Sequence, residues 1–378
     1  MGPGRVMMPE ETGAKRVLLA WRLLIAFWAL IVVCAAAGAG MLAVLGPPPE
    51  QLSPAASAGT PHEQPVAAGA NTVKLAPAAA ETPVSPPPPR AIGAPIPAPD
   101  PALLDTAAAN APAALPRIGP DGHAPMQVYA AGFDASDKRP KIAVLVAGIG
   151  QSASESEDAL RSLPGTVSFA VSPYTPSPEA LLPDIRAKGH EFFVSIPMEP
   201  QGYPVNDEGN HSLLIGGPTR QNADRLAWTL TRFAGYVGAT NALDGMRGER
   251  FTASTTQMQA VLQELAARGL MFVDDSPETD EVPFGSIPHL MARRVDIVID
   301  SLAVRAEIEW KLALLEEKAH DNGAAIGLAL LPRPVTIAVL AKWAGTLGSR
   351  GFALAPVSAV VRMPAPPQPA VVRTDVSR

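Results

Sequence analysis

Sulfur chemistry is nearly absent from this chain, which has one cysteine, Cys34, in 378 residues. That excludes a disulfide framework, a thiolate zinc site and a cysteine nucleophile from everything outside the apolar segment that holds Cys34. Charged residues make up only 17% and the net charge is −6. With no basic surplus to neutralise a phosphate backbone, nucleic acid is not an expected partner. Several catalytic signatures are missing as well: HExxH, HxxxH, CxxC, GxSxG, Walker A and GxGxxG. GIGQS follows a strand-like run but is too short to mark a phosphate loop. His289 and His320 have no ligand spacing, and His190 follows Gly189 at a helix end, where capping accounts for it.

Large apolar residues are also scarce between positions 46 and 140, which hold half of the chain's 42 prolines. Such a stretch buries too little surface to offset its chain entropy, so it is expected to be a disordered Pro/Ala-rich linker, with polyproline II pieces acting as spacers. The tail, 363–378, reads the same way. Before the linker lies the one long apolar run, 23–45 (LLIAFWALIVVCAAAGAGMLAVL). As a helix it would extend about 34 Å, enough to cross a hydrocarbon core of about 30 Å. Lys15, Arg16 and Arg22 precede it and three prolines follow. The expectation is a single-pass anchor in the inner (cytoplasmic) membrane, with 1–22 cytoplasmic and the rest periplasmic. A cleaved signal peptide is the alternative, but its apolar core is usually shorter.

From 141 the texture changes. Short β-rich apolar runs at 141–149, 167–173, 191–197, 237–243, 270–276, 296–300, 324–332 and 352–358 alternate with helical patterns. Repeated strand–helix alternation implies a parallel sheet with helices outside. The expected fold class is α/β, a (β/α) barrel of seven or eight strands over 141–362, with an open doubly wound sheet second. The segment 198–218 is too long for a routine connection and is expected to be functional.

In either architecture ligands bind at the carboxyl ends of the strands, and polar residues gather there. Glu199 follows the third strand. Asn206, Asp207 and His211 lie in the long loop, and Asn241 ends the fourth strand, with Arg250 soon after. Asp274 and Asp275 end the fifth. Adjacent carboxylates suit a general base or a hard cation, but neighbouring strand residues point to opposite faces, and a turn cap explains Asp274-Asp275-Ser276 equally well. The candidate substrate-binding set is Glu199, Asn206, Asp207, His211, Asn241, Arg250, Asp274 and Asp275. The catalytic candidates are Asp274, Asp275, Asp207 and His211.

Six blocks, KIAVLVAGIGQS, AKGHEFFVSIPMEP, GYPVNDEGNH, GYVGATNAL with GERFTAS, LMFVDDS and NGAAIGLALLPRPVT, occur in an order that resembles the divergent polysaccharide deacetylase family. The resemblance covers the whole of 141–362 and implies a deacetylase-type β/α barrel, related to metal-dependent enzymes that remove acetyl groups from cell-wall sugars. It implies cell-wall glycan or peptidoglycan as a partner, and an envelope peptidase or murein-hydrolase activator nearby. It also exposes departures. Ala147 and Gly148 stand where deacetylase-like members have paired aspartates. Ser195, Met246 and Leu331 stand where they have histidines. These residue types do not ligate zinc. The expectation is therefore a module that binds glycan or an envelope partner without metal or cofactor. The alternative is an active hydrolase or deacetylase with an altered, zinc-assisted site.

Overall fold

Continuous apolar runs at strand spacing build the centre of the molecule. In the computed structural model, which describes residues 90–106, 114–276 and 284–361, all within the unit Ala79–Arg378, the longest run is strand β3 (Lys141–Ile149), buried along almost its whole length. The other sheet strands are β4 (Ser168–Val171), β5 (Phe192–Ser195), β6 (Gly238–Thr240), β7 (Met271–Asp274), β8 (Ala292–Arg294), β9 (Ile297–Val298), β10 (Ala324–Ala329) and β11 (Ala353–Leu354). Eight follow the path β8-β7-β6-β5-β4-β3-β10-β9, every neighbouring pair parallel, and β11 adds to the start of β3. The two ends of this path, β8 and β9, are separated in the chain only by Val295 and Asp296. The sheet is thus a strongly curled half-barrel, the parallel α/β arrangement expected from the strand–helix alternation.

Helices cover the outer face: α2 (Ala153–Ser162), α3 (Pro178–Ala187), α4 (Thr219–Leu230), α6 (Thr255–Ala267), α7 (Arg305–Asn322) and α8 (Pro334–Leu347), with the one-turn α5 (Glu249–Thr252) just before α6. Their starts and stops are written in the sequence. Ser152 caps α2 by accepting the Glu155 N–H, prolines open α3 and α8, and Gly323 closes α7 in the left-handed conformation. Facing alternates as a two-residue period requires, with both faces buried. Val144, Val146, Phe169, Val194 and Phe272 pack outward on Leu160, Ile185, Leu262, Leu312 and Leu340 of the helices. Ala143, Leu145, Ala147, Ala170, Phe193 and Val273 fill the inside of the curl.

Three expectations need correction. The linker assigned to 46–140 contains ordered chain from residue 90. A short pair of strands, β1 (Leu104–Asp105) and β2 (Leu115–Pro116), and one helical turn, α1 (Pro125–Val128), run across the barrel. Ile96, Leu103, Leu115 and Tyr129 are all buried. Their partners are Arg186, Gly269 and Glu191, at the amino ends of the strands, bonded to the backbone of Ile96, Met126 and Ala131. A few well-spaced anchors suffice because the surface they bury already exists, and composition averaged over the stretch hides them. The second correction is at 352–358, where only Ala353–Leu354 is strand and Val357–Val361 turns into helix α9. The third is an addition, strand β8, which lies between the runs 270–276 and 296–300, where no element was expected.

No helix among the described residues is long and apolar enough to cross a membrane. The run 23–45 and the tail from 363 lie outside the described residues.

Candidate functional site

The carboxyl ends of β5, β6 and β7 carry most of the polar residues singled out in the sequence, and alternation decides where each points. Val273 faces inward and Phe272 outward, so Asp274 lies on the outer side and Asp275 continues toward the inner one. Asp274 is fully buried. Its Oδ2 accepts from Arg294 Nε at 3.0 Å and its Oδ1 from the backbone N–H of Ser276 at 2.9 Å. The Asx cap weighed from the sequence is therefore present, reinforced by an ion pair. Asp275 is held by Arg247, with Nε to Oδ2 at 3.0 Å and Nη2 to Oδ1 at 3.2 Å. Burial pushes its carboxyl up to about 7, against the pull of Arg247 and with a further push from Asp274 and Glu249.

Asn241 ties this corner together. Its Oδ1 accepts the Asp275 N–H at 2.8 Å and its Nδ2 donates to the Arg247 carbonyl at 2.7 Å. Both ends of the amide are used within the protein, so Asn241 acts as a bracket. Between Asn241 and Arg247 the chain reverses in a two-residue turn, Asp244 at φ 55° and Gly245 at φ 79°, with Leu243 and Met246 exchanging backbone hydrogen bonds.

The neighbouring corner belongs to Glu199. Its carboxylate meets Arg250 Nη1 at 2.8 Å and accepts the Ile215 N–H at 2.9 Å. Across from it lies Glu208, buried, which the sequence reading left out of the site set. Glu208 accepts the N–H of Met198 at 2.9 Å and of Gly248 at 3.2 Å, joining the long loop to both sides of the mouth. Burial lifts its carboxyl well above the usual range, with Glu249 and Asp244 adding to the shift. Nothing in NDEGN told which of its polar residues would turn inward, because loops lack the periodicity that reveals facing.

Asn206 and Asp207 are exposed, and their hydrogen bonds stay within the loop, to the Gln201 carbonyl and from the Gly209 N–H. His211 joins neither corner by direct contact. Its imidazole lies flat on Trp228, centroids 3.6 Å apart and planes 4° apart, and the His211 backbone N–H donates to Tyr174 Oη at 3.3 Å. Burial and the nearby Arg225 and Arg232 lower its pKa. The set expected to form one cleft thus resolves into two ion-paired corners, a loop tip and an aromatic cluster. His190 is a core residue. It stacks on Phe169, and its Nδ1 donates to the Val167 carbonyl at 2.8 Å, with burial lowering its pKa to about 4.

The sequence profile of the divergent polysaccharide deacetylases matches residues 144–361. The chain belongs to this family. An uncharacterized protein from Agrobacterium tumefaciens is similar in structure, with a TM-score of 0.58 and 33% identity over 65% of this chain and 98% of its own. A CE4 esterase from Streptococcus mutans aligns more distantly, with a TM-score of 0.34 and 12% identity over 58% of this chain and 86% of its own. No curated protein matches the chain.

The mouth of the divergent deacetylase domain can be compared with what a catalytic zinc, implied by the family resemblance, requires. The inner positions at the strand ends are Ala147, Ser195, Thr240 and Asp275, all buried. Ser195 and Thr240 are register partners, and the Ser195 hydroxyl has no hydrogen-bond partner among the described residues. One carboxylate, already clamped by an arginine, and two hydroxyls do not make the three nitrogen, sulfur or carboxylate ligands a catalytic zinc needs. Gly148, at φ 73°, is closed off differently. A Cβ built there would lie 2.5 Å from Leu331 Cδ2, so leucine fills the space next to it. Among the described residues, no group of three or more His, Cys, Asp or Glu is arranged to hold a metal ion. The residues present do not fit the group.

Proposed function

We propose that this deacetylase-family chain is an exported, membrane-anchored module that binds acetylated envelope glycan at its mouth without metal-dependent deacetylation. One observation carries the reading. Arginine–carboxylate pairs Glu199–Arg250 and Asp275–Arg247 line a mouth whose zinc-ligand positions hold Ala147, Gly148, Ser195 and Leu331. Half-exposed arginines and buried carboxylates offer donors and acceptors to sugar hydroxyls and acetamido groups. The anchor and the export rest on the run 23–45 and the basic residues before it. An envelope peptidase or murein-hydrolase activator as a further partner rests on the family resemblance alone.

A second reading has its own observation. A carboxyl group pushed up to about 7, as in Asp275, is poised for general acid–base work at neutral pH. A hydrolase using Asp275 would release acetate from acetylated chito-oligosaccharide with a pH profile centred on that group. The binding reading is tested by isothermal titration of the full-length chain with tetra-N-acetylchitotetraose, followed by assay of the same mixture for acetate. Saturable binding with no acetate above the enzyme-free control supports it, and sustained acetate release installs the hydrolase.

A further inference from the structure

Beside the mouth, three rings gather on elements that no zinc chemistry uses. Tyr174 follows β4, His211 belongs to the long loop, and Trp228 lies on α4. Tyr174 and Trp228 are tilted with centroids 5.5 Å apart, and His211 is stacked on Trp228. Arg232 holds the cluster from below, its guanidinium carbon 5.0 Å from the Trp228 ring centre and its Nε donating to the Pro173 carbonyl at 2.8 Å. Arg225 donates to the Ser212 carbonyl at 2.7 Å. The cluster is thus pinned by hydrogen bonds on three sides, while Tyr174 stays 37% exposed. The His211 ring nitrogens make no hydrogen bond to another described residue.

The cluster is continuous with the mouth. Glu208 bonds to Met198 and Gly248 there, and the next residue, Gly209, packs directly on the tyrosine. With φ at 104° and a built Cβ only 2.7 Å from Tyr174 Oη, position 209 has room for glycine alone.

We propose that Tyr174 and His211, backed by Trp228, form a sugar-stacking subsite next to the mouth, taking one pyranose ring of an acetylated glycan. The inference rests on the glycan-binding reading above and adds where recognition occurs. A pyranose presents a face of C–H groups that suits an aromatic ring and a rim of hydroxyls that need donors and acceptors. The exposed tyrosine supplies the first, and the unbonded nitrogens of an imidazole held flat on Trp228 supply the second. A ring pre-oriented in this way loses little freedom on binding.

The test is titration calorimetry of the full-length chain with tetra-N-acetylchitotetraose, for wild type, Tyr174→Ala, Tyr174→Phe, His211→Ala and Arg250→Ala. The subsite predicts that Tyr174→Ala and His211→Ala weaken binding by about five- to tenfold each, while Tyr174→Phe, which keeps the stacking face, stays near wild type. Wild-type binding that Arg250→Ala weakens and that Tyr174→Ala and His211→Ala leave unchanged overturns the subsite and leaves the mouth reading standing. No binding by wild type overturns both. Tyr174 lies outside the core, so melting curves of its variants should overlay wild type. If Tyr174→Ala melts early, Tyr174→Leu, which fills the volume without a π face, gives the same reading.

Discussion

Leu331 occupies the space a side chain on Gly148 would need, since a Cβ at position 148 would come within 2.5 Å of Leu331 Cδ2 and 3.3 Å of Pro332 Cδ. The two positions meet across the β3–β10 pair, and the family resemblance aligns them with an aspartate and a histidine. Under the proposed reading, packing as well as residue type disfavours an aspartate at position 148.

Gly148→Asp should consequently destabilise the domain. The clash with a half-buried leucine and a φ of 73° together cost at least about 2 kcal/mol. Adding Leu331→Ala should recover part of the loss, because the two changes share one contact and do not add. Urea unfolding of the single and double variants reads this coupling. Simple additivity would mean that the two residues do not compete for the same space.

Asp275 gives a pH dependence with a definite sign. Its folded carboxyl lies at about 7 against an ordinary value of 3.8. The folded state therefore binds its proton more tightly than the unfolded chain does. The associated stability is present in full below pH 4 and is lost as pH rises through 7. Asp275→Asn removes this loss. Its stability relative to wild type should rise between pH 4 and pH 8, by no more than about 4 kcal/mol, since the carboxyl value of about 7 already includes the pull of Arg247. A difference that is flat across this range would place the Asp275 carboxyl at an ordinary value.

The amino-end strap and the C-terminal helix meet at one carboxylate. Glu191, buried, accepts from Ser168 Oγ at 2.8 Å and the Ser358 N–H at 2.8 Å through one oxygen, and from the Ala131 N–H at 2.9 Å and Ser358 Oγ at 2.6 Å through the other. Glu191→Gln turns one acceptor into a donor facing donors, and about 2–4 kcal/mol of stability should be lost. Hydrogen exchange should quicken first in 128–133 and 357–361. A variant as stable as wild type would show that these segments are held by their apolar contacts alone.

Much of the fold was legible because its central strands are buried apolar runs, and its helices carry their own starts and stops, such as Ser152, Pro334 and Gly323. The strap escaped notice because Ile96, Leu103, Leu115 and Tyr129 are thinly spread in a proline-rich stretch and bury themselves on a surface made elsewhere. At the site, strand ends placed Glu199, Asn241, Asp274 and Asp275 well, since a strand fixes its own exit point. Partners were invisible. Arg247 and Arg294 pair with aspartates 28 and 20 residues away, and Trp228 receives His211 from another element. The long loop was the least legible part. Of NDEGNH, the sequence reading favoured Asp207, which caps a turn, over Glu208, which joins the mouth.

The measurement that bears most directly on the central claim is metal content and acetate release on one sample. The purified full-length chain would be assayed by elemental analysis, then incubated with acetylated chito-oligosaccharide in the presence of zinc, cobalt or manganese. The account predicts less than stoichiometric metal and no metal-dependent acetate, from a sample that binds the oligosaccharide. Stoichiometric metal with metal-dependent acetate release, abolished by Asp275→Asn, would contradict it.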